Sequence, residues 1–361
     1  MIIKDFAKAF DKVPHRRLLL KLDRYGIRGK ALNWTEAFLT QRKQRVVIDG
    51  KCSEWVDVKS SVPQGTVTGP MDFLVFINDL PQNLTSSVKL FAGDCIVFRK
   101  VSGPEDAGMS QKDLDVLTAW QSKWQMAFNA QKCYVLRVTH SKSPKKFIYT
   151  LNNTELAEKK EYPYLGVTLT SNWSWNSHVN YTAAKANRTL GFIKRNLHSC
   201  SKQVKNLAYK SLVRPTMEYC GSVWDPSTKE LKEKLESVQN RGARFVTADY
   251  RRTSSVSHMK QELKWEPLEE RRRVTRVCIL HQAQSGRLAI PTQTILRPVV
   301  RSSRHGSYIQ IPCNKNCLKC SFMPKKLIDW NALPQHIKEI EDKNNFKAAV
   351  AQHYSQKPIT A

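Results

Sequence analysis

Short apolar runs, bounded by glycine, proline and aspartate, fill the first half of this chain, and long helical periodicities fill the second. Met1-Ile2-Ile3 is a stub of apolar strand running straight into Asp5, with nothing upstream to flank it, so the strand is expected at an open sheet edge. Residues 15–25 and 31–39 carry helical spacing, the first stopped by Gly26. Residues 44–48 and 55–58 alternate on either side of Asp49-Gly50, which predicts a hairpin. A short apolar helix is expected at 71–80. Apolar runs at 88–91 and 95–98 flank Ala92-Gly93-Asp94 and predict a second hairpin with a tight tip. Residues 111–128 read as a helix, with Leu114, Leu117, Trp120 and Trp124 on one face, and 134–138 and 164–169 each read as one strand. This order implies an antiparallel sheet with helices on one face. From about residue 177 the pattern is helical over 178–197, 204–219 and 231–246, and the Arg-rich stretch 251–310 is less periodic.

With 361 residues the chain exceeds what one core usually organises, and 41% apolar residues suffice for a proper core. Lys and Arg number 59 against 31 Asp and Glu, a net charge of +28. Such an excess calls for a polyanion or a membrane surface as partner. No run approaches the roughly 18 apolar residues a spanning helix needs. Lys4, Asp5, Lys8 and Asp11 also interrupt any secretory leader. Nucleic acid is therefore the expected partner, no membrane is expected, and a protein of cytoplasm or nucleus rather than a secreted one is implied. The nine cysteines, mostly isolated in apolar runs, read as reduced thiols.

Asp5 at a strand end and Asp94 at a hairpin tip are candidates to converge on a shared cation. Hard oxygen ligands of this kind suit Mg²⁺, which binds one or two carboxylates together with substrate phosphates. Turn-tip aspartates are also common for purely local reasons, so order and context decide. Asp5-Phe6-Ala7-Lys8-Ala9-Phe10-Asp11-Lys12-Val13-Pro14-His15 resembles motif A of the non-LTR (LINE-type, jockey-like) retrotransposon reverse transcriptases. Ser61-Val62-Pro63-Gln64-Gly65-Thr66-Val67-Thr68-Gly69-Pro70, continuing to Asn78-Asp79-Leu80-Pro81, resembles their motif B. Leu90-Phe91-Ala92-Gly93-Asp94 resembles motif C, Asn129-Ala130-Gln131-Lys132-Cys133 motif D, and Tyr164-Leu165-Gly166-Val167 motif E. The likeness extends through the later helices to Trp330-Asn331-Ala332-Leu333-Pro334.

The resemblance implies an α+β right-hand polymerase palm over 1–170, an all-α thumb-like region over 171–250 and a basic C-terminal region over 251–361. It implies an RNA-directed DNA polymerase working by two-metal nucleotidyl transfer on an RNA template, a DNA primer and deoxynucleoside triphosphates. By position, Asp5 and Asp94 would hold the metal, and Lys132 would protonate the leaving pyrophosphate. Phe6 and Phe10 would lie at the nucleotide, with Phe10 as the ring that excludes a 2′-hydroxyl. Gln64 and Gly65 would sit beside the templating base, and Tyr164, Leu165 and Gly166 would form the primer grip. Lys185, Arg188, Lys194, Arg195 and Lys210 are candidates for phosphate contacts that carry no sequence information. Asp11 is expected to make a structural hydrogen bond.

Two departures qualify this picture. Gly93 stands where the leading motif C aspartate belongs. Neighbouring strand residues point to opposite faces, so Asp94 can substitute only if the turn re-aims it. The chain also opens at motif A, without the family's fingers and endonuclease, which suggests a truncated copy. The expectation is therefore an impaired polymerase, with a catalytically dead binder of RNA or RNA–DNA hybrid as the alternative. Cys313, Cys317 and Cys320, with His305 upstream, have an irregular spacing that does not favour zinc. The oligomeric state, template and target site are left open.

Overall fold

A computed structural model of the chain describes residues 1–290, 296–298, 307–313 and 321–355, and it is mixed α+β. It divides into two compact units, Met1–Tyr162 and Pro163–Ala361.

In the first unit, strand β1 (Ile2–Asp5) is followed by helices α1 (His15–Arg24) and α2 (Lys30–Leu39). A hairpin of two short ladders comes next, β2 (Lys43–Gln44) on β5 (Val56–Asp57) and β3 (Val47–Ile48) on β4 (Lys51–Cys52). Helix α3 (Thr68–Ile77), strands β6 (Ser87–Phe91) and β7 (Asp94–Phe98), and helix α4 (Pro104–Trp124) complete the framework with β8 (Tyr134–Leu136), the small hairpin β9 (Thr150–Leu151) and β10 (Thr154–Glu155), and β11 (Ala157–Lys159). Helix α4 starts earlier than its periodicity suggested. Pro104 presets its first turn, and Glu105 and Asp106 complement the helix dipole there.

The principal sheet has the order β11-β8-β1-β7-β6. This corrects two expectations. The first strand is central rather than at an edge, because Ile2 and Ile3 pair with Val97 and Ile96 on one side and with Val135 and Tyr134 on the other. The sheet is also not wholly antiparallel, since β11 runs parallel to β8. Ile2, Cys95, Val97 and Val135 share one core with Leu18, Phe73, Phe76, Leu114 and Leu117 of α1, α3 and α4. By strand alternation Ile3 and Asp5 face the other way.

In the second unit, residues 164–169 are not one strand. The chain turns at Leu165 and Gly166, both at positive φ (47° and 77°), between β12 (Glu161–Tyr164) and β13 (Val167–Thr170). Helix α5 (Asn176–Asn196) follows. The single helix expected over 204–219 is broken into α6 (Lys202–Ala208), a π turn (Tyr209–Val213) and α7 (Arg214–Glu218). Pro215 has no N–H to give the preceding turn, and the wider π turn absorbs the missing bond. After the short α8 (Gly221–Trp224) comes α9 (Lys229–Thr247).

The less periodic stretch contains two helices, α10 (Val256–Glu262) and α11 (Leu268–Gln284). Buried Arg272 and Arg276 occupy positions on α11 where an apolar stripe would be expected. Arg272 Nε lies 2.6 Å from Asp225 Oδ1, and Arg276 Nη2 lies 2.7 Å from Asp329 Oδ2. Val179, Leu190, Tyr209, Trp224, Leu235 and Val238 form one core of this unit. Val277, Leu280, Leu327, Trp330, Phe346 and Val350 form another. Asn331 fixes Tyr308 by two backbone hydrogen bonds, at 2.9 and 2.7 Å.

Lys4 is fully buried in the middle of the sheet, 5.0 Å over the Phe128 ring, and its ammonium has no hydrogen-bond partner among the described residues. Burial pushes its pKa below the ordinary 10.5. The unfolded chain therefore binds more protons, and stability should rise with pH from the lowered value up to 10.5. Lys4→Met is expected to add about 1–3 kcal/mol at neutral pH and to flatten that rise. Urea unfolding at pH 7 and 9 measures both effects, and a less stable variant would contradict this account.

Candidate active site

The site is built at the end of the central strand. Asp5 closes β1 and Asp94 opens β7, and the two are direct cross-strand partners. Partners of this kind project from the same face of a sheet. The β6–β7 connection is only Ala92-Gly93, with Phe91 paired to Asp94, so regular strand pairing carries Asp94 to its place opposite Asp5. Burial and the negative charge of Asp5 raise the pKa of the Asp94 carboxyl, and Lys132 partly offsets them.

The motif D segment is tied to the same strand end. Asn129 N–H donates to the Asp5 carbonyl at 2.8 Å, and Ala7 N–H donates to that of Ala127 at 2.9 Å. The Asn129 side chain accepts from Gln131 N–H and caps the 3₁₀ turn Ala130–Lys132. These bonds set Lys132 Nζ 3.2 Å from Asp5 Oδ2, while most of the lysine side chain stays in solvent. Tyr162 is a site residue that sequence reasoning missed. Its phenol pKa is raised by burial, then by the charges of Asp94 and Asp5, and its ring lies 5.6 Å from Tyr134.

Position 93 faces the same space. A Cβ there would lie 3.8 Å from Asp5 Oδ1 and 3.2 Å from Ala9 Cβ. The turn does not demand glycine at this point, because the positive φ is carried by Ala92, at 47°. What is lost at Gly93 is therefore a side chain and not a backbone requirement.

Motif B is stitched to motif A. Gln64 Nε2 donates to Asp11 Oδ1 at 2.9 Å, Ser60 Oγ to the Asp11 carbonyl at 2.8 Å, and Val62 N–H to the Phe10 carbonyl at 2.9 Å. Asp11 thus makes the structural hydrogen bond expected of it. Gly65, at φ +78°, is exposed with open space around it. Phe10 is half-buried and stacks on Phe73 at 4.6 Å. The Phe6 side chain is buried against Phe128 at 4.5 Å, so only its backbone is available to a nucleotide.

Two facing carboxylates suit a hard divalent cation that also takes substrate oxygens. Among the described residues no group of three or more His, Cys, Asp or Glu is placed to hold a metal by itself. Cys313 is half-exposed and its thiol donates to the Ile311 carbonyl at 3.1 Å, while His305, Cys317 and Cys320 lie outside the described residues. No helix among the described residues is long and apolar enough to cross a membrane.

In the second unit the Leu165-Gly166 turn rests on Tyr219. The Tyr219 hydroxyl donates to the Leu165 carbonyl at 3.0 Å, and a Cβ on Gly166 would meet the Tyr219 ring at 3.0 Å. Along α5, Tyr181, Lys185, Arg188, Phe192 and Arg195 recur at helical spacing and are all exposed, opposite the buried Val179, Ala183, Ala186, Leu190 and Ile193. The cations there were expected; Tyr181 and Phe192, each 56% exposed, were not. Lys194 leaves this ridge and lies 5.6 Å over the Tyr250 ring, and Lys210 sits apart on the π turn.

Residues 1–169 match the reverse transcriptase (RNA-dependent DNA polymerase) family. The chain is similar to the RNA-directed DNA polymerase from mobile element jockey of Drosophila funebris, at 28% identity over 70% of this chain and 29% of that protein. The jockey protein of Drosophila melanogaster is 26% identical over the same shares, and the probable RNA-directed DNA polymerase from transposon BS of that species is 25% identical over 67% and 28%. The matched part thus spans under a third of these relatives' length. Members of the reverse transcriptase family use divalent metal ions.

The electrostatics of the pair can be checked in metal-free buffer. Asp5→Asn removes a charge that raises Asp94, so Asp94 should titrate at lower pH. Lys132→Met should move it upward. Carboxyl carbon NMR reads both shifts, and an Asp94 indifferent to both variants would separate the two side chains.

Proposed function

We propose that this chain is the catalytic portion of a mobile-element RNA-directed DNA polymerase, working on an RNA template, a DNA primer and deoxynucleoside triphosphates, with Mg²⁺ as its cation. The pairing of Asp5 with Asp94, with Lys132 3.2 Å from Asp5, carries this reading. On it, residues 1–170 act as palm and 171–250 as thumb. When bound, the metal pair would lower the barrier to attack by the primer 3′-hydroxyl and neutralise the departing pyrophosphate. Asp5 and Asp94 would hold it. Lys132 would give a proton to pyrophosphate. The half-buried Phe10 ring would exclude a 2′-hydroxyl, and Gln64, braced on Asp11, would keep the Gly65 backbone open to a nucleotide. The Leu165-Gly166 turn on Tyr219 would steady the primer, and the α5 ridge would follow the duplex backbone through Lys185, Arg188 and Arg195.

Gly93 favours a second reading for the chain's behaviour, a binder of RNA or RNA–DNA hybrid with little or no synthesis. Primer extension with Mg²⁺ separates the two. Gly93→Asp places a carboxylate beside Asp5 and should raise the rate by about 10²–10³-fold. Asp5→Asn in that background should abolish the gain. A parent chain as fast as Gly93→Asp would show that position 93 has no part in the chemistry.

A further inference from the structure

The Leu165-Gly166 turn belongs to a ladder of two strands, β12 and β13, that stands apart from the five-stranded sheet. Two paired strands are marginal in water by themselves. Leu165 also holds φ at 47°, a conformation that a residue with a side chain keeps only where its surroundings impose it. Three side chains impose it here. The Tyr219 hydroxyl donates to the Leu165 carbonyl at 3.0 Å. The Tyr219 carbonyl accepts in turn from the Trp224 indole N–H at 2.8 Å. The Trp224 ring is fully buried and makes a T-shaped contact with the His178 imidazole, the centroids 4.9 Å apart. His178 Nδ1 then accepts from the Thr168 N–H of β13 at 3.2 Å, so the circuit starts and ends on the same hairpin. The imidazole is buried as well, which holds its pKa below the ordinary 6.5 and favours the neutral acceptor form, with Nε2 toward Thr182 Oγ1 at 3.4 Å.

We infer that His178 and Trp224 are positioning residues for the Leu165-Gly166 turn, and that with Tyr219 they fix the backbone that a DNA primer would meet. Gly166 is exposed and the Tyr219 ring is 56% exposed, so these are the accessible parts, and Trp224 and His178 lie behind them. Groups that meet a ligand keep their geometry only when the residues behind them are locked. An apolar ring would pack against Trp224 as well as an imidazole does; what the imidazole adds is an acceptor for a backbone N–H. That the occupant is a primer rests on the polymerase reading above, whereas the bracket rests on the contacts themselves.

The test compares His178→Phe, His178→Asn and Trp224→Phe in the whole chain. Phenylalanine at 178 keeps a ring against Trp224 and has no acceptor. Asparagine loses the ring and offers Oδ1 where Nδ1 was. Trp224→Phe removes the donor to the Tyr219 carbonyl. One readout is the NMR resonance of the Gly166 amide, which lies against the Tyr219 ring, in chain made with isotope-labelled glycine. The other is fluorescence anisotropy of a labelled RNA template annealed to a DNA primer. His178→Phe and Trp224→Phe should each shift Gly166 and weaken primer–template binding by about fivefold, the worth of one hydrogen bond, while His178→Asn should stay within about twofold of the parent. Plain core packing gives the reverse order, phenylalanine tolerated and asparagine harmful, and that order overturns the inference. So does a Gly166 resonance that moves with no loss of affinity. Trp224→Phe carries the same two readouts should His178→Phe not fold. A parent chain that does not bind the primer–template removes the polymerase reading and the positioning role with it; one that binds and ignores both phenylalanine variants removes the role alone.

Discussion

One register, β1 against β7 with Asp5 opposite Asp94, holds the candidate site together. Strand side chains alternate with a period of two, so a slip by one residue would turn Asp5 into the helix-covered core and Lys4 out of it. Ile2 against Val97 and Ile3 against Ile96 resist that slip, because both pairs are buried. Pairing with β8 on the other side fixes the same strand a second time. The fold thus holds two like charges together at a sheet end, and the nearby Lys132 ammonium reduces the repulsion between them. Such an arrangement is mildly unfavourable when empty and favours a cation when one arrives, as expected of a site where perturbed groups gather.

The basic composition has two origins. Some of it is spent inside the fold, where Arg272 and Arg276 are buried in ion pairs with Asp225 and Asp329, and Lys325 also reaches Asp225. Removing one partner from such a network leaves an uncompensated charge, so these arginines are tied to stability. Other cations are exposed, among them Lys185, Arg188 and Arg195, which lie beside exposed Tyr181 and Phe192 on the α5 ridge. Net charge alone could not distinguish a structural arginine from one that meets a phosphate.

Much of the first unit was legible in the sequence. Its strands are short apolar runs closed by turn residues, and its motifs name the strand ends that matter. The failures have local causes. Tyr164-Leu165-Gly166-Val167 reads as continuous strand because Leu165 gives no sign of a positive φ; the Tyr219 hydroxyl that donates to the Leu165 carbonyl is far away in sequence. Helix α11 was obscured by arginines on its buried face. Tyr162 carried no signal of its own, because its place beside the carboxylates depends on tertiary packing. The aromatics of the α5 ridge were visible at helical spacing but are easily mistaken for core.

The central claim is that Asp5 and Asp94 act on one cation. Mn²⁺ binding followed by electron paramagnetic resonance, in the presence of a deoxynucleoside triphosphate, addresses it directly. Asp5→Asn and Asp94→Asn should each weaken the protein-bound ion by about tenfold or more, as expected when one of two carboxylate ligands is lost. Affinity that survives either substitution would mean that the two side chains do not share a metal.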